Sequence, residues 1–293
     1  MKHALWFLAF VLLVLAGDRL GGRVMQRQTD ASQFRYSRLY NGRGEADIVL
    51  LGNSRGLTFY QPAIEEMTGL RSINLSYNGL PMDLAGALLQ DYLDRYPAPQ
   101  KLLIDITLCD RDNRQLIAGF LPYAPQSQRL DLLIHHADTT AWYGARVSAL
   151  FRFNNEVFQR ALYYRQRSDA DWLLDRVIAP ELAAAAAQNR FEIEVEEKRI
   201  RALAETVAAA RAKGVQVELV IGPYFPGFQI IGLDALKNAA GQATGLPVHD
   251  YRAALNDPAL FGDFMHPNKN GAIAYLELLQ KDRVLPPRQS EAN

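Results

Sequence analysis

An α/β fold on a parallel sheet of about five strands is what this sequence predicts, and three observations predict it. Apolar runs at Asp47–Leu51, Arg71–Leu75, Lys101–Ile106, Val215–Ile221 and Leu246–Tyr251 alternate with segments of helical periodicity, as in successive β-α-β units. The runs lead into loops rich in Gly, Asn and Pro: Gly52-Asn53-Ser54, Asn74 to Gly79, and Gly222 to Gly227. The first run, Ile48-Val49-Leu50-Leu51, is apolar at every position, the mark of a buried strand rather than a half-exposed one.

Taken in order, the chain opens on Lys2 and His3, then on the charge-free run Ala4 to Gly17, closed by Asp18 and Arg19. This run is shorter than the roughly twenty apolar residues that span a bilayer comfortably. Residues 1–22 therefore read as a signal anchor or a signal peptide. Val14-Leu15-Ala16 offers a small-residue cleavage site, but Leu20 and Val24 continue the helical pattern past Asp18-Arg19, which favours an uncleaved anchor. The expected location is the inner membrane with the body in the periplasm or extracytoplasmic space, the alternative being secretion after cleavage. A buried amino-terminal helix of an intracellular protein is the bland reading.

Residues 23–45 turn polar and read as a connector ending in the Asn41-Gly42-Arg43-Gly44 turn. An α/β domain is expected over 46–285, with helices at Pro62 to Met67, from Pro81 to Arg95 where Pro97 and Pro99 stop it, over Phe191 to Lys213 before Gly214, and near Leu233 to Ala243. Between Cys109 and Arg190 aromatic residues recur at helical spacing without a convincing strand, so a helical insertion is expected at about 111–190. Its Asp169 to Ala187 stretch reads as Ala-rich helix. Phe151-Arg152-Phe153-Asn154-Asn155 and Tyr163-Tyr164-Arg165 within it read as core before they read as a substrate groove. Residues 286–293 are a polar tail.

Composition removes several function classes. The 293 residues are 49% hydrophobic and 22% charged, enough for one large core with a sizeable insertion. Thirty-two basic residues balance thirty-two acidic ones, and no dense Lys/Arg run carries interleaved aromatics, which argues against a nucleic-acid partner. A single cysteine, Cys109, excludes an intrachain disulfide and a Cys-cluster metal site. Asp105, Asp110 and Asp112 have no histidine at ligand spacing, so no metal and no cofactor is expected.

The chemistry concentrates at strand ends. Ser54 stands in a glycine turn at the carboxyl end of the first strand, where open α/β sheets bind ligands, and is the candidate nucleophile. A hydroxyl there needs a base with an orienting acid, and Asp263-Phe264-Met265-His266 supplies both just before the apolar face of a last helix, Ile273, Leu276 and Leu279. A Ser after Gly-Asn is by itself usually a turn residue, and the D-x-x-H spacing is common by chance. His249 and the pair His135-His136 have no acid spaced to turn them toward Ser54 and read as structural or exposed.

These stretches resemble a known family. G-N-S-R at 52–55, N-L-S-Y-N-G at 74–79 and D-F-M-H-P-N-K-N-G-A at 263–272 look like the first, second and fifth sequence blocks of the SGNH/GDSL hydrolases, in the same order. With the amino-terminal anchor, the chain is most similar to the membrane-anchored SGNH proteins of bacterial envelope acylation, the group of the alginate acetylation proteins and the protein of teichoic-acid D-alanylation. The resemblance covers roughly residues 45–110 and 196–280.

It implies a flavodoxin-like three-layer α/β/α sheet, Ser54 as nucleophile, His266 as base and Asp263 as its orienter. It also implies the backbone N–H groups of Ser54 and Gly79 as oxyanion donors. The family's third block ends in an Asn that supplies another donor; here Cys109 stands at that place, and Asn78, Asn113 or Asn53 is the candidate replacement. Asn53, Arg55, Cys109 and Tyr224 are candidates for contact with substrate. The implied activity is a serine esterase or O-acyltransferase acting on acyl, foremost acetyl, groups of an envelope polysaccharide, with a membrane acyltransferase as a candidate partner. The alternative is a weak or inactive SGNH-like module that binds glycan or docks on such an enzyme.

Overall fold

The computed structural model describes residues 2–288; residues 289–293 of the expected polar tail lie outside the described residues. The chain divides into two compact units, Met1–Arg43 with Arg114–Asp169, and Gly44–Asn113 with Ala170–Asn293.

The second unit is the α/β body. Its strands are β1 (Ile48–Leu51), β2 (Ser72–Asn74), β3 (Lys101–Asp105), β4 (Arg190–Glu192), β5 (Gln216–Ile221), β6 (Gln229–Ile231) and β7 (Val248–Asp250). Five of them form one parallel sheet in the order β2-β1-β3-β5-β7. This is the flavodoxin-like order, in which the winding direction reverses between β1 and β3. Helices Met82–Arg95, Glu197–Ala212 and Leu233–Thr244 pack together in one layer, while Gln61–Thr68 packs with Lys269–Lys281 in another. Strands β1 and β3 are buried at every residue. One face of the sheet sends Ile48, Leu50, Leu103 and Val220 into a cluster with Ile64, Phe59, Tyr275, Leu276 and Leu279. Covering on both faces is why β1 shows no polar alternation.

Local signals set the ends of these elements. Pro81 precedes the helix Met82–Arg95, Gly69 and Gly245 cap their helices in the left-handed conformation, and Asn268 caps the last helix by accepting from the Gly271 N–H at 3.1 Å. Two expectations fail here. The helix read from Phe191 begins only at Glu197: the preceding residues form β4, paired with β6 in a small separate ribbon that is too short and too exposed to show a period. Asp169 to Ala187 is α-helical only over Pro180–Ala184, with a 3₁₀ turn over Ala186–Gln188 after it. The rest is anchored by backbone contacts, such as the Leu174 pairing with Asn268, which override the helix propensity of alanine.

The first unit is helical. Its first helix runs unbroken over Lys2–Asp30 and is long and apolar enough to cross a membrane, with the apolar side chains exposed. The boundary expected at residue 22 is absent, and the expected connector is instead the end of this helix followed by a second, Arg35–Tyr40. Polar residues there find partners rather than water. Arg35 is buried against Asp169, with Nε to Oδ2 at 2.9 Å and Nη2 to Oδ1 at 3.1 Å. Asn41 donates to the Asp30 and Ser37 carbonyls. The helical insertion is narrower than 111–190: Arg114–Asp169 joins this unit, while Ala170 onward belongs to the α/β body. Phe153 and Tyr164 are core, as read, and Tyr164 stacks on Phe34, whereas Phe151 and Tyr163 from the same two stretches are exposed.

Candidate active site

The site forms within the α/β body, at the point where the winding reverses. β1 ends at Leu51, and Gly52 to Ser54 turn the chain into a 3₁₀ helix, Arg55–Thr58. The turn is closed by the Asn53 side chain, whose Oδ1 accepts from the Arg55 N–H at 2.9 Å, and by the Gly56 N–H donating to the Asn53 carbonyl at 3.1 Å. It has no room for side chains. A Cβ on Gly52 would lie 2.4 Å from the Gly56 Cα, and one on Gly56 would lie 2.4 Å from the Ser76 Oγ. The two glycines flanking Asn53-Ser54-Arg55 are therefore a packing requirement of the serine turn.

The Asp263–His266 loop meets it from the other end of the chain. Ser54 Oγ lies 2.8 Å from His266 Nε2, and His266 Nδ1 lies 2.9 and 3.1 Å from the two Asp263 oxygens. Asp263 Oδ1 also accepts from the backbone N–H of Met265 and His266 at 2.8 and 2.9 Å, so one carboxylate shapes its own loop and orients the imidazole. With the proton on Nδ1 facing Asp263, Nε2 presents its lone pair to the serine hydroxyl. Burial opposes charge on Asp263, but the interaction with His266 and the two backbone N–H groups outweigh it and hold the carboxyl below its ordinary range. A phenylalanine clamp fixes the loop: the Phe225 N–H donates to the Phe264 carbonyl at 3.0 Å, and Phe228 stacks on Phe264.

The loop after β2 brings Gly79. Asn74 ties it to the serine turn by donating to the carbonyls of Gly56 and Phe59 at 2.9 and 3.0 Å. Gly79 has φ +67°, which a glycine tolerates, and an added Cβ would meet Asn113 Nδ2 at 2.8 Å. Asn113 donates to the Gly79 carbonyl at 3.0 Å, so this amide is used to hold the loop. The backbone N–H groups of Ser54 and Gly79 donate to no protein acceptor among the described residues, as oxyanion donors require.

A cavity of about 240 Å³ opens on the serine. Ser54, His266 and Asp263 line it with Asn78, Leu57 and Trp172. Asn78 is exposed, and its side chain makes no hydrogen bond among the described residues. Trp172 packs edge-on against Tyr77, and with Leu173 and Leu174 it lines the cavity from a stretch whose sequence reads as Ala-rich helix with no sign of a site. Nothing local marks these residues: their role comes from the pairing of Leu174 with Asn268, ninety-odd positions away in the chain.

The four residues read as substrate contacts sit elsewhere. Asn53 is buried, and its Nδ2 donates to the Thr107 carbonyl at 2.8 Å. Arg55 is 2% exposed and lies over the Tyr224 ring, 3.4 Å from its centroid, opposite Asp105 with Nε–Oδ2 at 4.0 Å. Its Nη2 donates to the Pro223 carbonyl at 2.9 Å and its Nη1 to the Met265 carbonyl. Arg55 thus joins the serine turn, the loop after β5 and the histidine loop from beneath, and Tyr224 is the buried plate it rests on. Cys109 is fully buried, with Sγ 3.7 Å from the Arg199 carbonyl. Burial, only partly offset by Arg199, pushes its thiol up to about 12, so it neither faces the cavity nor ionises near neutrality. Asn53, Arg55, Cys109 and Tyr224 are corrected from substrate contacts to supports of the site.

His249 pairs with Glu218 at 3.1 Å, and His135 packs against Trp142 with the rings tilted at 46°. Compared with models of known protein families and with curated proteins, the chain matches none of them.

Proposed function

We propose that this protein is a membrane-tethered serine esterase or O-acyltransferase of SGNH type that works through an acyl-Ser54 intermediate. The observation that carries the reading is the continuous relay from Ser54 Oγ through His266 to Asp263, joined at 2.8 and 2.9 Å between residues more than two hundred positions apart. In this mechanism His266 Nε2 takes the Oγ proton as the oxygen attacks the acyl carbonyl. The N–H groups of Ser54 and Gly79 receive the oxyanion, and Asn78 supplies a third donor from the cavity wall. His266 then returns the proton to the departing oxygen. Water or a sugar hydroxyl, deprotonated by the same imidazole, attacks the acyl-serine and frees Ser54.

Size and access indicate the substrate class. About 240 Å³ suits an acetyl or other short acyl group better than a fatty chain. His266 and Asp263 keep 24% and 34% of their side-chain surface exposed, which leaves the site reachable by an acceptor too large to be enclosed, such as an envelope polysaccharide. The apolar amino-terminal helix is consistent with tethering outside the cytoplasm, next to a membrane acyltransferase that would supply the acyl group. The alternative, a module that binds glycan with little turnover, rests on Cys109 standing where a donor was expected.

Full-length protein in detergent is assayed against aryl esters of increasing acyl length. The proposal expects hydrolysis that is fastest with acetate and lost in Ser54→Ala and His266→Ala. No hydrolysis above the Ser54→Ala background would favour the binding module instead.

A further inference from the structure

The helical unit holds a second cavity, of about 480 Å³, unrelated to the serine chemistry. Four arginines line it: Arg19 and Arg23, one turn apart on the first helix, with Arg146 and Arg152; Gln26 and Gln126 also line it, with their amides donating to Asp30 Oδ1 at 2.8 and 3.1 Å. The acids nearby partner Arg19 and Arg146 and leave Arg23 and Arg152 without an acidic partner among the described residues. Asp18 is spent on the backbone, accepting from the N–H groups of Ala149 and Leu150 at 2.7 and 3.2 Å and from the Ser148 hydroxyl at 2.5 Å, and it meets Arg19 at 3.2 Å. Asp131 pairs with Arg146 at 2.9 Å. Arg23 has no acidic partner among the described residues, and Arg152 donates only to the Ala145 carbonyl at 3.2 Å. Burial, and then the like charges of Arg19 and Arg146, hold the Arg152 guanidinium below its ordinary range. Guanidinium groups crowded round an open cavity call for an anion that they can share.

The placement of the arginines on the helix is built in. Gly21 and Gly22 let the helix approach the 148–150 turn so closely that a Cβ on Gly22 would lie 2.6 Å from the Ala149 Cβ. Together with the Asp18 contacts this sets the rotation that places Arg19 and Arg23, both exposed, on the rim of the cavity. Along the same helix the charge-free run ends at Gly17. At 1.5 Å rise per residue, Arg19 and Arg23 stand roughly 3 and 9 Å beyond it, the depth of a lipid headgroup layer next to the hydrocarbon core. Val147, Leu150 and Phe151 are exposed beside them, as amphipathic surface on a membrane would be.

We infer that this arginine-lined cavity binds the phosphate of an anionic phospholipid headgroup at the base of the anchor helix. The lipid fixes the height and tilt of the helical unit on the membrane, and the site is independent of any reading of Ser54.

The test uses full-length protein in a neutral detergent, titrated with phosphatidylglycerol or phosphatidylcholine and read by native mass spectrometry. Preferential retention of phosphatidylglycerol is expected. Each arginine near an anionic surface is worth roughly a fivefold factor in affinity, so Arg23→Gln should weaken retention about fivefold and Arg23→Gln with Arg152→Gln about thirtyfold. Arg27→Gln, exposed on the same helix but outside the cavity, should leave it unchanged. Equal retention of the two lipids by the unaltered protein, or undiminished phosphatidylglycerol binding in Arg23→Gln, would overturn the inference. So would inorganic phosphate displacing the lipid at equal concentration, since the site would then recognise the free ion. The comparison of lipids on the unaltered protein stands even if the double variant fails to fold.

Discussion

Replacing Arg55 by Met should cost this protein about 3–5 kcal/mol of stability, the range measured when one partner of a buried charge pair is removed. The guanidinium is 2% exposed and donates to the carbonyls of Pro223 and Met265. It stacks on Tyr224 at 3.4 Å and faces the buried Asp105 at 4.0 Å. Hydrogen bonds from a charged donor contribute roughly 1.5–3 kcal/mol each, and a desolvated cation–π contact about 2. Because the substitution leaves the Asp105 charge buried beside only Thr107 and the Gly222 N–H, these effects overlap rather than add. Against a typical total of about 5–15 kcal/mol the loss is large but survivable.

The same change releases the carbonyl of Met265, next to His266, so the imidazole should lose its fixed approach to Ser54. Urea unfolding followed by circular dichroism gives the stability, and aryl acetate hydrolysis gives the rate. Arg55→Lys should recover part of the stability through its charge and little of the rate, since an ammonium cannot reach both carbonyls in a planar fork. A stability loss below about 1 kcal/mol in Arg55→Met, the level of an ordinary surface change, would refute the role of Arg55 as the tie between the three loops.

Other expectations follow from the same geometry. Gly56→Ala would drive a methyl group to 2.4 Å from the Ser76 Oγ and should cost about 1–3 kcal/mol by overpacking, read as an earlier urea midpoint, together with a fall in kcat. Asn78→Ala should lower kcat on the order of a hundredfold with little change in KM if its amide serves the oxyanion, whereas Cys109→Ala should leave kcat near the unaltered value. The buried thiol, pushed up to about 12, should also resist iodoacetamide at pH 8 until the protein is unfolded.

Asp263 has a folded pKa below its unfolded one. Its contribution to stability is therefore present above the unfolded value and is lost as pH falls through the folded one, in the region below about pH 4. Asp263→Asn should flatten the acid limb of the stability profile there, and an unchanged limb would contradict the paired carboxylate.

The sheet was legible because strands buried on both faces are apolar at every position, as β1 is, and because Pro81, Gly69 and Gly214 mark where helices start and stop. Ser54, Asp263 and His266 were legible because a serine turn and an acid–base loop must fall at strand ends to matter. What escaped the sequence is non-local. The polar residues from Met25 to Glu45 suggest a connector only until the partners of Arg35 and Asn41 are known, and Trp172 reaches the cavity through a pairing with the far end of the chain. Arg55 and Tyr224 look like substrate contacts from their neighbourhood, and only burial shows that they face away from the cavity. Cys109 draws notice by its place in the family resemblance, yet its side chain is buried and turns to the Arg199 carbonyl, so its identity bears on packing.

Covalent trapping of Ser54 tests the central claim most directly. Full-length protein incubated with a fluorophosphonate and digested for mass spectrometry should carry one adduct, on the peptide containing Ser54. That adduct should be absent from Ser54→Ala and form far more slowly in His266→Ala, because in the proposed mechanism the imidazole at 2.8 Å activates the hydroxyl. No adduct on Ser54, or labelling equally fast without His266, would contradict it.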